Sequence, residues 1–235
     1  MTEQDSSMRR AISRLMREAA ALFAESPTPD IVPALPKMRA AVHLAEGLHD
    51  KTPLVICEAH LASMNAVCGM GDQAMEHIER ALAVVREHDL PVPIRNFAFT
   101  KFVEIAILVR REQARAQAFA LGLLECAVDE EGSYPQYLAT LFNLAVLSND
   151  LLGRREWALA LLSWLEDEIV GDPENLIGLQ GRRYAEKVFE AMPEAERLEC
   201  RTDVEVNRDA YLEEATSGFL PRAALRRTPR QSGRE

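Results

Sequence analysis

"CGMGDQAMEHIERALAVV", residues 68–85, decides the fold. A glycine-bearing turn precedes Ala74, Ile78 and Ala81, which are spaced four and then three positions apart. That spacing places the three side chains on one face of a helix. Moved forward by 42 residues, the Gly69–Ala74–Ile78–Ala81 pattern lands on Arg111, Ala116, Ala120 and Leu123; a second step reaches Gly153, Ala158, Leu162 and Leu165. Moved back by 40, it meets Ala34, Met38 and Ala41. Downstream, "AVHLAEGLHD" (41–50) parallels "ALAVVREHD" (81–89). The chain therefore reads as a repeated unit.

The physical reason is helix packing. A small side chain lets a partner helix approach, and the apolar residues four and seven later fill the seam. One hairpin cannot cover its own apolar stripe, so hairpins stack side by side. Turn and capping signals divide the sequence into about ten helices: 6–24 capped by Ser6 or Ser7, 33–48, 54–68, 73–87 capped by Asp72, 94–110, 112–128, 136–152, 153–170, 176–191 and 194–215. "ESPTPD", "DEEGSYP" and "GDPEN" are read as connections, and no stretch shows sustained strand alternation.

Composition agrees. Hydrophobic residues are 48% of the 235-residue chain and charged ones 27%, a globular balance, while aromatics reach only 6%. Ala, Leu, Glu and Arg dominate, which favours an all-α fold. The net charge is −10, with residues 216–235 contributing five Arg against Glu235. An acidic body repels phosphate backbones, which argues against nucleic acid as a partner. Neither a signal peptide nor an apolar run of membrane-spanning length is found; "FVEIAILV" (102–109) is too short and contains Glu104. Cys57, Cys68, Cys126 and Cys200 are scattered through helical patterns, as expected of reduced thiols in a cytoplasmic protein.

On these residues the chain resembles the tetratricopeptide-repeat family. Gly69, Ala74, Ile78 and Ala81 match that family's turn and second-helix positions, and Ala62 its first-helix small residue. Gly153, Ala158 and Leu162 match again, with Asp172–Pro173 beyond. The family's period is about 34 residues rather than 42, so these helices are longer. Leu123 and Leu165 stand where Ala is usual, and no copy carries the first-helix aromatic and Leu–Gly pair together. The resemblance, which covers roughly residues 34–192, implies a right-handed superhelical stack of antiparallel helix hairpins over 1–192; the polar tenth helix, at 193–215, reads as a cap on that stack and 216–235 as a basic flexible tail.

The chemistry search is short. All five His (43, 49, 60, 77, 88) fall in the first 88 residues, but only Cys57 and His60 form a close pair, which is too few ligands for a structural zinc site. These His are read as surface or capping residues. The nucleophile elbow, the phosphate loop and the dinucleotide motif are all missing, so neither an enzyme nor a cofactor is expected. Trp157 and Trp164 read as packing residues. The resemblance implies a non-catalytic module that binds a protein or peptide along a concave face. That face would be lined by Ala59, Ser63 and Ala66, then Lys101, Ile105 and Leu108, then Asn143, Leu147 and Asp150. The alternative is a regulatory module sensing a peptide or small ligand in a bacterial signalling or transcription-control system. A homo-oligomer is compatible with either reading.

Overall fold

The computed structural model describes residues 3–24, 30–129, 134–169 and 175–216, with backbone alone at 3, 124–129 and 134–137. The connections expected at 25–30, 129–135 and 171–175 and the basic tail fall largely or wholly outside these residues. Among the described residues the fold is ten helices with no strand: α1 (Glu3–Ala24), α2 (Leu35–Glu46), α3 (Thr52–Val67), α4 (Gly71–Glu87), α5 (Val92–Val109), α6 (Gln113–Asp129), α7 (Tyr134–Asp150), α8 (Arg155–Glu168), α9 (Leu176–Glu190) and α10 (Glu194–Ala215). Proline at the first or second position opens α2, α3 and α5, where its missing N–H has no helical partner to lose.

Two expected caps are corrected. Ser6 and Ser7 lie inside α1, which is already helical at Glu3. Met70, not Asp72, is the N-cap of α4; Asp72 sits in the first turn, where its charge meets the positive helix end and pairs with Arg111. By contrast, the Asn175 side chain accepts from the Ile177 and Gly178 amides and caps α9. Asn175→Ala should cost about 1 kcal/mol of stability. Urea unfolding followed by circular dichroism checks this, and an unchanged midpoint would show that the cap is dispensable.

The small–apolar–small register is a packing register. Ala34, Met38, Ala41, Ala74, Ile78, Ala81, Ala116, Ala120, Leu123, Ala158, Leu162 and Leu165 are all buried, none more than 6% exposed. The turn position recurs as well. Gly69 (φ 74°) and Gly153 (φ 64°) adopt left-handed backbone, and Arg110 (φ 54°) and Glu112 (φ 55°) do so on either side of the equivalent Arg111. Glycine takes this conformation freely, whereas a residue with a Cβ is held in it at a cost of about 1 kcal/mol.

The chain forms two compact units, 1–111 and 112–235. In the first, α3 is central: α1, α2, α4 and α5 all pack on it. It buries Val55, Cys57, Ala59, Leu61, Ala62 and Ala66, together with the polar Glu58 and Asn65. Ile12, Ala41, Ala45, Leu48 and Cys57 join α1, α2 and α3, and Phe102 of α5 is fully buried. In the second unit, α8 is central and is flanked by α7, α9 and α10. A Cβ added at Gly178 of α9 would lie 2.0 Å from Ile169 Cδ1, just past α8, and one at Gly181 would lie 2.8 Å from Leu165 Cδ2 of α8, so a side chain at either position would force these neighbours to shift. Helix α10 is held by Val204, Leu212 and Ala215 on its buried side and by an Arg208–Asp167 ion pair of 2.5 Å. Trp164 is buried, while Trp157 is half-buried and donates to Glu214 at 2.9 Å with the Arg154 guanidinium over its ring.

Candidate functional site

In the first unit, helices α2, α3 and α4 enclose an open groove of about 470 Å³. Helical periodicity builds each wall. From α2 come Leu35, Arg39, Val42, His43 and Glu46; from α4 come Gln73, Glu76, His77 and Arg80. Met70, in the turn before α4, closes one side. The floor is α3, which presents Glu58, Leu61 and Asn65, positions i, i+3 and i+7 on one face. A volume of this order is typical of small-ligand and peptide-side-chain pockets.

The floor carries the unusual chemistry. The Glu58 side chain is 4% exposed, and its Oε2 lies 2.6 Å from His77 Nδ1. A carboxylate so far from water needs a charged or hydrogen-bonded partner, and His77, 19% exposed at the wall, supplies it. Seven residues on, Asn65 is also buried and spends its Nδ2–H on the Leu61 carbonyl at 2.8 Å. On the rim, Arg80 pairs with Glu76 at 2.5 Å and His43 lies 3.7 Å from Glu46.

A second, smaller groove of about 290 Å³ opens between α8, α9 and α10 of the second unit. Its floor is apolar, with Leu159, Leu162, Leu165 and Ile169, and the two arginines on its rim are engaged by neighbours: Arg182 lies 3.7 Å from Glu166, and Arg201 stacks on Phe189 at 4.6 Å.

The nine residues expected on a concave face are distributed differently. Ala59, Ala66, Ile105 and Leu147 are buried, which corrects their assignment: they fill space between helices and offer a partner no surface. Ser63 is half-buried, with its hydroxyl donating to the Ala59 carbonyl at 3.1 Å. Lys101 pairs with Glu104 at 2.6 Å and lies 6.0 Å from the Phe97 ring centre, so it is not an unpaired cation awaiting a carboxylate. Leu108 is 54% exposed. In the second unit Asn143 is half-buried, and the exposed Asp150 accepts from the Tyr184 hydroxyl and from Asn149. On α3, at about 100° per residue, the Ala59–Ser63–Ala66 face lies roughly 130° around the helix from the Glu58–Leu61–Asn65 face.

The His residues separate as well. Cys57 turns towards Met16 of α1, with sulfur atoms 3.5 Å apart, and burial pushes its thiol up to about 12. His60 instead meets Phe97 of α5, and burial together with the Lys101 charge holds its imidazole below the usual range. The two therefore do not converge on one point. His77 corrects the surface reading, because it is the partner of a buried acid. The signal in the sequence was Glu58 itself, one charge within the apolar stretch "LVICEAHLA" (54–62).

Comparison with family models, with curated proteins and with solved structures returned no match to this chain.

Proposed function

We propose that the chain is a non-catalytic interaction module that holds a segment of a protein or peptide partner in the α2–α3–α4 groove. In this reading each unit is a short stack of antiparallel hairpins of the tetratricopeptide-like kind, with that family's right-handed stacking within it. The observation that carries the proposal is the groove itself: a concave site of about 470 Å³ whose walls mix apolar and charged side chains and whose floor holds the buried Glu58 and Asn65. The groove's size also favours a second reading, a regulatory module that senses a short peptide or small effector there.

A displayed random-peptide library panned on the full chain tests the proposal. Peptides enriched in this way should bind saturably and lose about tenfold or more in affinity when Val42→Trp fills the groove. Failure to enrich any binder, or binders indifferent to Val42→Trp, would refute it. A thermal-shift screen with metabolites addresses the second reading, for which a saturable shift abolished by the same substitution is expected.

A further inference from the structure

The groove floor is rich in acceptors and poor in donors. A carboxylate offers about four acceptor positions. Among the described residues Glu58 receives one hydrogen bond, from His77. Asn65 spends a donor on Leu61, which leaves its Oδ1 as an acceptor about two helical turns away on the same face of α3. Both residues line the groove, so their open acceptor positions are reached from it. Among the described residues, the fully enclosed side-chain atoms without a partner are Arg9 Nε and Arg208 Nε, and neither belongs to this floor. Of the two arginines that line the groove, Arg80 is engaged by Glu76, and the exposed Arg39 on the α2 wall makes no pair with Glu58 among the described residues. Leu35, Val42, Leu61 and Met70 provide apolar surface beside the acid.

We infer that the group recognised by this groove is a basic side chain, Lys or Arg, of a partner peptide, seated on the Glu58 carboxylate with neighbouring apolar residues against Leu35, Val42 and Met70. A desolvated carboxylate attracts a cation far more strongly than an exposed one does, and a cationic nitrogen fills acceptor positions that water would otherwise occupy. Within this same groove the inference specifies the ligand class, and it rests on the peptide-binding reading above. The second unit's groove is set aside because its floor is apolar and its rim arginines, Arg182 and Arg201, already have neighbours.

The test uses two pools of short peptides, degenerate at the flanking positions and identical except at the centre, which is Arg in one pool and citrulline in the other. Citrulline keeps the shape and removes the charge. Binding to the full chain is measured by fluorescence polarisation. The Arg pool should bind at least about tenfold more tightly than the citrulline pool, and Glu58→Gln should abolish that difference. In the unsubstituted chain, the His77 ring NMR signals should shift on titration with the Arg pool, a readout that does not depend on the variant folding. Equal binding of both pools, each weakened by Val42→Trp, overturns the basic-residue inference and leaves the groove reading standing. No binding by either pool overturns both. Arg-pool binding that survives Glu58→Gln and leaves the His77 signals unmoved places the cation elsewhere and overturns the inference alone.

Discussion

Replacing His77 with Ala is expected to destabilise the protein by about 3 kcal/mol, a larger effect than most half-buried polar substitutions produce. The loss comes from what remains behind. Glu58 is almost wholly enclosed, and His77 is its hydrogen-bond partner in the described structure. With the imidazole gone, the carboxylate must stay charged without compensation, take up a proton or draw water into the groove, and each alternative costs free energy. Glu58→Gln should be much milder, within about 1 kcal/mol, because the amide oxygen still accepts from His77 while the buried charge is removed. Urea unfolding of the two variants by circular dichroism gives the comparison. Equal losses would mean that the pair is held by packing rather than by its hydrogen bond and charge.

Phe102→Ala should cost more, about 3–5 kcal/mol, through the cavity left in a site closed to solvent. Phe102 is fully buried on α5, which packs against α3 and α4. Leu108, six residues on along the same helix, is 54% exposed, and its truncation to Ala should change stability by no more than about 0.5 kcal/mol. Both can be read from denaturant midpoints. A small effect at Phe102 would mean that α5 is not integral to the first unit.

Much of this architecture could be read from the chain, for local reasons. Proline and glycine mark the connections, and Ala74, Ile78 and Ala81 declare a packed face because their spacing is local. The twelve register positions are buried for the same reason. The site was less legible. Helix α3 is apolar over most of its circumference, so periodicity does not say which face a partner meets, and the Ala59–Ser63–Ala66 choice followed the family resemblance. That choice was about a third of a turn off the groove floor. The Glu58–His77 contact spans 19 residues and depends on how α3 lies against α4, which no short-range pattern encodes. Glu58 was still conspicuous as an acid inside an apolar helix. A buried charge calls for a search for its partner, and the nearest helix downstream holds His77.

The direct measurement is hydrogen exchange along the full chain with and without a saturating peptide enriched on it. The account predicts protection confined to residues 35–46, 58–65 and 70–80, the segments that wall and floor the groove. Protection instead at 101–108 or 143–150, the stretches that carry Lys101 and Asn143, would return the partner to the face first expected from the sequence and contradict the groove assignment.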